Sequence, residues 1–163
     1  MSGSRLRPAV PGEAAALTAL ALRSKGHWGY DAAFLDACRA ELTMRDDELA
    51  GRRTVVAELP DGRIVGFRTL EGEPPTGVLG MMFVDPDAIG RGIGRALAAD
   101  LIDEARTAGF TLITIDADPN AEAFYLAQGA VRVGATPSGS VPGRVLPLLE
   151  LRLTADTPAP ARR

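Results

Sequence analysis

Residues 79–106 read LGMMFVDPDAIGRGIGRALAADLIDEAR, and this stretch predicts a strand, a tight turn and a long helix in succession. The run from Val78 to Val84 is apolar apart from one glycine, which is typical of a strand that is buried on both faces. Asp85-Pro86-Asp87 predicts the end of that strand, because proline cannot donate a hydrogen bond to a neighbouring strand. After the glycines, apolar residues recur at helical spacing, at Ile93, Leu97, Leu101 and Ala105.

Three alternating glycines, Gly90, Gly92 and Gly94, lie where the predicted strand passes into the predicted helix. Glycine lets the backbone approach a ligand closely, and the first amides of a helix have no intrahelical acceptor. The turn therefore predicts a site for a phosphate or a pyrophosphate, with Arg91 and Arg95 supplying positive charge beside it. A tight turn with solvated arginines is the alternative interpretation. The P-loop and the dinucleotide fingerprint are both excluded, because neither required spelling follows the glycines.

The composition fits one globular domain, which we predict over residues 1–153, followed by a disordered tail over residues 154–163. A net charge of -3 disfavours nucleic acid as a partner and favours a small cationic acceptor. One cysteine and one histidine leave no internal disulfide and no Cys/His metal cluster. No apolar run approaches the roughly 20 residues that cross a bilayer, and the first residues are not a secretory leader. We expect a cytoplasmic protein with no membrane partner.

The remaining predicted elements surround the central strand. The predicted helices are Glu13–Lys25 and Asp31–Leu42, and the other predicted strands are Leu6–Val10, Thr54–Leu59, Arg63–Leu70, Thr111–Ile115, Ala130–Thr136 and Val145–Leu153. Pro60-Asp61-Gly62 predicts a hairpin, so three antiparallel strands lead into the central one. A strand, a crossover helix and the strand Thr111–Ile115 predict a right-handed parallel unit, with its ligand beyond the carboxyl ends of the strands.

The glycine turn resembles the acetyl-CoA-binding turn of the GCN5-related N-acetyltransferase (GNAT) family. That family's pattern is Q/R-x-x-G-x-G/A after a strand ending in Val-x-Pro, and here it falls on Ile89–Gly94 after Val84-Asp85-Pro86. The first position is Ile89 rather than Gln or Arg, but the family binds the pyrophosphate through main-chain amides. A second family landmark, N-x-x-A-x-x-F-Y-x-x-x-G, resembles Asn120–Gly129 in a shortened form.

The resemblance implies a mixed α/β fold with a mostly antiparallel sheet, a central splayed parallel pair and flanking helices. It implies acetyl-CoA as the donor, CoA as the product, and a small-molecule or peptide amine as the acceptor. Many relatives pair as dimers, so a homodimer is a further expectation. The cofactor-binding residues that the resemblance implies are Met82, Phe83, Val84, Ile89, Gly90, Arg91, Gly92, Ile93, Gly94, Arg95, Asn120, Phe124 and Tyr125.

Direct acetyl transfer needs an uncharged amine, donors for the developing oxyanion, and a proton for the departing thiolate. By the resemblance, Tyr125 would protonate the thiolate, whereas a structural role at a helix boundary is its alternative interpretation. Family members often carry a Glu on the central strand, but the corresponding positions here are Leu79–Met82. His27 is the predicted replacement base, since its reference pKa is about 6.5. Asp31, Asp116 and water-mediated deprotonation are the alternatives.

The acceptor is expected to approach from the side opposite to the donor. The residues predicted to line its path are His27, Trp28, Tyr30, Ser138 and Arg144. A plain surface hairpin is the alternative interpretation of the loop that holds Ser138 and Arg144. Cys38 is predicted on an apolar helix face, so we expect no acetyl-cysteine intermediate. Two rival functions are a non-catalytic acyl-CoA-binding or regulatory module, and a nucleotide-phosphate binder outside this family.

Overall fold

A computed structural model describes residues 3–153 of the chain. These residues form two four-stranded sheets and four α-helices. The strands are β1 (Arg5–Pro8), β2 (Val55–Glu58), β3 (Ile64–Arg68), β4 (Thr76–Val78), β5 (Met82–Val84), β6 (Leu112–Asp116), β7 (Val131–Pro137) and β8 (Val145–Arg152). The helices are α1 (Ala14–Gly26), α2 (Ala32–Leu42), α3 (Ile93–Ala108) and α4 (Glu122–Ala127). The predicted tail, residues 154–163, lies outside the described residues, and the single domain over residues 1–153 stays a prediction.

The first sheet has the order β1-β2-β3-β5 and is antiparallel throughout. The second has the order β4-β6-β8-β7, in which β4 and β6 are parallel and the other pairs are antiparallel. The predicted hairpin and the parallel unit are therefore confirmed, and the first strand lies at an edge of its sheet. Within residues 3–153 no helix combines the length and the apolar character that crossing a membrane requires.

The prediction of one strand from Val78 to Val84 is wrong, because the chain changes sheet within it. Leu79 still donates a backbone hydrogen bond to Thr114 of β6 (3.0 Å), whereas the Met81 carbonyl already accepts from Thr69 beside β3 (2.9 Å). The three residues between β4 and β5 belong to neither strand, and Val78 and Gly80 are exposed rather than buried. An apolar run indicates a strand, but it does not indicate which neighbours the strand will have.

The apolar stripe predicted for α3 is confirmed and reaches the cores behind both sheets. Ile93 and Leu97 pack with residues of the first sheet, and Leu101 and Ala105 pack with residues of the second. Helices α1 and α2 bury their apolar sides in a further cluster that includes Phe67 of β3. The predicted cap of α2 is also present, because the Asp31 carboxylate accepts from the Phe34 amide (2.9 Å).

A fully buried arginine connects α3 to the first sheet. Arg68 of β3 is 0% exposed, and its Nη2 donates to the carboxylates of Asp100 and Glu104 on α3. Its Nη1 donates to the Arg53 carbonyl oxygen (2.9 Å), while its Nε has no partner among the described residues. These bonds fix the position of the helix that begins at the glycine turn.

Replacing Arg68 separates the contribution of its charge from that of its volume. Arg68→Met should lower the free energy of unfolding by about 1–2 kcal/mol, because the two acidic side chains are each 37% exposed and can be hydrated. Arg68→Ala adds a cavity and should cost about 2 kcal/mol more. Urea unfolding measures both values. Equal losses for the two variants would contradict the importance of the buried volume.

Candidate functional site

A cleft of about 800 Å³ lies in the gap where the two sheets separate. Strands β4 and β6 pair with each other only as far as Val78 and Thr114. Beyond that point β5 pairs with β3, and β6 pairs with β8. Met81 and Asp85, which flank β5, both bond to the first sheet: the Thr69 amide donates to the Met81 carbonyl (2.9 Å), and the Asp85 amide donates to the Val65 carbonyl (2.8 Å). By the alternation of an antiparallel pair, the backbone groups of Met82 and Val84 turn toward the gap, so one edge of β5 has no partner strand among residues 3–153. Such an edge can bond to an extended ligand.

The glycine turn closes one end of this cleft with backbone amides. Gly90 and Gly92 have φ values of +90° and +80°, a left-handed conformation that glycine adopts with little strain. The first intrahelical bond of α3 runs from Ala96 to Gly92 (3.0 Å), so the amides before Ala96 have no acceptor within the helix. Gly94 lies against the ring of Phe124, where an added Cβ would be 3.4 Å from the ring. The turn therefore offers several converging donors to an anion.

Tyr125 lies at the middle of the cleft, on the short helix α4. Its side chain is 8% exposed, belongs to the core of the second sheet and also lines the cleft. Burial raises the pKa of the Tyr125 phenol well above its ordinary value, and the charge of Asp118 raises it further. The hydroxyl therefore stays protonated near neutral pH and is available as a proton donor. It forms no hydrogen bond to another residue of the described part of the chain.

Asp118 joins the beginning of α4 to both loops that were predicted to meet the acceptor. Its carboxylate accepts from Lys25 of α1 (2.7 Å), from the Tyr30 hydroxyl (3.0 Å) and from the Asn120 amide (2.8 Å), and Arg144 lies 3.5 Å away. Burial alone would raise the pKa of Asp118, but the hydrogen bonds from Lys25 and the Asn120 amide outweigh it, and the pKa lies below its ordinary value. These contacts were not predicted from the sequence.

Most residues predicted to bind the donor line the cleft, although their binding roles stay predictions. All thirteen do so except Arg91, and Ile89, the departure from the family's pattern, is 50% exposed at the cleft. Of the residues predicted on the acceptor path, only Trp28 lines the cleft. His27 is exposed, packs its ring edge against Trp28 and is not a lining residue.

The other end of the cleft contains charged residues that sequence reasoning missed. Glu41, Arg52 and Glu71 line the cleft, and the Glu71 carboxylate lies directly against Gly80 at the strand break. An isolated glycine in an apolar strand is a signal of close approach, and the signal at Gly80 was available in the sequence. Within residues 3–153 no group of three or more His, Cys, Asp or Glu residues is arranged to hold a metal ion.

Comparisons with known proteins agree on the family. Residues 18–130 match the acetyltransferase (GNAT) family. A GCN5-related N-acetyltransferase from Rhodopseudomonas palustris is 30% identical, with 94% of this chain and 98% of that chain covered and a TM-score of 0.78. PaiA N-acetyltransferase from Thermoplasma acidophilum, solved with coenzyme A, is 15% identical (91% and 98% covered, TM-score 0.75). YncA from Salmonella typhimurium, solved with acetyl-CoA, is 24% identical (97% and 98% covered, TM-score 0.66).

A search among curated proteins gave no significant match. The two structures below 25% identity support the fold alone, whereas the family match covers most of the chain and includes both sequence landmarks. A nucleotide-phosphate binder outside this family is therefore the wrong interpretation of the glycine turn. The chain belongs to the acetyltransferase (GNAT) family, which uses acetyl-CoA as its acyl donor.

Proposed function

We propose that the protein is an N-acetyltransferase that moves an acetyl group directly from acetyl-CoA to a primary amine of a small molecule or peptide and releases CoA. One observation carries the proposal. The unpaired edge of β5, the free amides of the glycine turn and the protonated hydroxyl of Tyr125 all line the same cleft. An anion-binding turn alone would fit many ligands, but its combination with a strand edge and a buried proton donor suits an extended phosphorylated thioester.

The donor side of the cleft supplies binding groups in a linear order. The amides of Ile93, Gly94 and Arg95 would hold the diphosphate, and the Arg95 side chain adds positive charge. The unpaired backbone groups of Met82 and Val84 would bond to the pantetheine, as a neighbouring strand would. Acetyl-CoA supplies a thioester, whose carbonyl carbon an uncharged amine attacks and whose sulfur leaves as a thiolate.

Direct transfer is supported by the position of the single cysteine. Cys38 is buried among the apolar residues of α1 and α2 and does not line the cleft. A covalent acetyl-cysteine would require that thiol to reach the donor. Tyr125 lines the cleft, and its hydroxyl carries a proton that the departing thiolate can take.

A cationic amine is the acceptor class that the opposite end of the cleft favours. Glu41 and Glu71 are two carboxylates among the lining residues; Arg52 is paired with Glu71, and Lys25, which also lines the cleft, is paired with Asp118. Trp28 lines the same cleft and can contact an ammonium group through its ring. This arrangement supports a small molecule or peptide that presents a protonated primary amine.

Thiol release separates catalysis from the rival function, a non-catalytic acyl-CoA-binding or regulatory module. The protein is incubated with acetyl-CoA and, separately, with 1,4-diaminobutane, 2-phenylethylamine and a peptide with a free amino terminus, and free CoA thiol is followed. At least one amine should raise thiol release above the rate without amine. Tight binding of acetyl-CoA with no amine-dependent release would favour the regulatory module instead.

Tyr125→Phe removes the proton donor and keeps the ring that fills the core. The turnover number kcat should fall by about 100- to 1,000-fold, because the thiolate must leave without a positioned acid. The dissociation constant for acetyl-CoA should stay nearly unchanged. Steady-state thiol release and titration calorimetry measure the two quantities. Unchanged turnover would remove the role assigned to Tyr125.

Gly92→Ala tests the glycine turn as the diphosphate site. Alanine disfavours the left-handed conformation by about 1–2 kcal/mol, so the dissociation constant for acetyl-CoA should rise by about 5- to 30-fold. Gly134→Ala is the matched control, because Gly134 has no neighbour within 4 Å of an added Cβ and does not require a left-handed backbone. Titration calorimetry with acetyl-CoA should detect no change for this control. Equal affinities of the two variants for acetyl-CoA would indicate that the diphosphate binds elsewhere.

A homodimer and a cytoplasmic location stay predictions. The edge of β7 that faces away from β8 has no partner strand among residues 3–153, and Val131 and Val133 on this strand are exposed. An unpaired strand edge with exposed apolar residues supports association with a second copy. The cytoplasmic location rests on the cysteine content.

A further inference from the structure

The Glu71 carboxylate reaches the strand break, whose own residues, Leu79–Met82, include no carboxylate. It forms a two-residue antiparallel bridge with Val78, in which the Glu71 amide donates to Val78 (2.8 Å) and the Val78 amide donates to Glu71 (2.9 Å). The side chain then lies across Gly80, and any Cβ at position 80 would overlap its carboxylate. The carboxylate is thus delivered from the neighbouring segment into space that a residue of the central strand would otherwise fill.

The two oxygens of this carboxylate are in different environments. Oε2 accepts from Arg52 Nε (2.9 Å), from Arg52 Nη2 (2.8 Å) and from the Thr69 hydroxyl (2.7 Å). The same Thr69 hydroxyl accepts from the Met81 amide (3.0 Å), which fixes the group relative to the central strand. Oε1 has no hydrogen-bond partner among residues 3–153, and the Glu71 side chain is 30% exposed to the cleft. One oxygen is therefore held in place, and the other is free to accept a proton.

We propose that Glu71 binds the protonated amine of the acceptor through Oε1 and removes its proton. This inference rests on the proposed function and names the base for the same site. Glu71 and Tyr125 line one continuous cleft, so the acceptor can enter between the group that takes a proton and the group that gives one. Arg52 and Thr69 are positioning residues, since they hold Oε2 and leave Oε1 directed to the acceptor.

The proton balance of the step is complete with these two residues and solvent. The ammonium N–H bond breaks, its proton goes to Glu71 Oε1, the freed electron pair bonds the nitrogen to the acetyl carbon, and the carbon–sulfur bond breaks. Tyr125 gives its hydroxyl proton to the sulfur, and the second proton that the nitrogen loses returns to Tyr125 through solvent. Glu71 then releases its proton to water. An amine cation and acetyl-CoA become an acetamide, CoA and one proton.

The other groups considered as bases are less well placed. His27 is exposed and does not line the cleft. The Asp31 carboxylate is occupied as the cap of α2. Asp116 lines the cleft, but it lies at the end of β6, on the same side of the gap as Tyr125. Glu71 is the carboxylate that lies against the strand break itself.

Glu71→Gln tests the inference with the amine of the panel that the wild-type protein acetylates fastest. At pH 7 the kcat of the variant should be about 100- to 1,000-fold lower, while calorimetry gives an unchanged dissociation constant for acetyl-CoA. Without a base, only amine molecules that are already neutral can react, so the rate of the variant should keep rising toward the pKa of the amine. The loss should therefore shrink as pH increases, whereas a structural role predicts the same loss at every pH.

Glu48→Gln is the matched control. Glu48 is also an ion-pair partner of Arg52 (3.6 Å), but it does not line the cleft, so kcat and its pH profile should stay as in the wild type. A Glu71→Gln variant that binds acetyl-CoA and keeps wild-type turnover would overturn this inference but not the proposed function. A large loss of kcat in His27→Ala would do the same. No amine-dependent thiol release by the wild-type protein would overturn the proposed function and this inference with it.

Gly80→Ala gives an independent measurement. The added methyl group overlaps only the end of a flexible side chain, so it should displace the Glu71 carboxylate without unfolding the protein. It should lower kcat by at least tenfold in the wild-type background and by less than threefold in Glu71→Gln, because both changes then act through one group. Additive losses would indicate that position 80 and Glu71 act separately, which contradicts the proposal.

Discussion

The change of sheet between β4 and β5 is the constraint on which the rest of the structure depends. A continuous central strand would pair with β3 on one side and β6 on the other along its whole length, and the two sheets would be one closed surface. Here Leu79 bonds to the second sheet and Met81 bonds to the first. The backbone N–H and C=O groups that lose a partner strand at the break are the groups that line the cleft. On the proposed function, the surface that binds the pantetheine is therefore main chain, and its direction is set by strand geometry rather than by side-chain rotamers.

Two charged residues that are far apart in sequence hold the helices, strands and loops around this break in position. Arg68 fixes α3 against the first sheet, so the turn at the beginning of that helix has a defined distance from β5. Asp118 connects α1, the loop after it, the β7–β8 loop and the beginning of α4. The loop after α1, the β7–β8 loop and the beginning of the helix that carries Tyr125 therefore share one anchor.

The sequence predicted those features that depend on local chemistry. The glycine turn, the stripe of α3 and the Asp31 cap each follow from residues within a few positions of one another, and the structure has all three. The break in the central strand was not predicted, because it depends on which strands lie alongside it. The position of Glu71 was missed for the same reason, since its carboxylate reaches Gly80 across a bridge between segments. His27 was chosen for its chemistry alone, and nothing in the residues around it indicated that it would point to solvent.

The free edge of β5 has a thermodynamic consequence. On the proposed function, the pantetheine arm occupies the position of an absent strand, so the second half of the sheet is completed only when the donor is bound. Binding and local order are then linked, and saturation at 100 times the dissociation constant stabilises the native state by about 2.7 kcal/mol. Opening of the region around β5 would in this way become rarer as the concentration of the thioester rises.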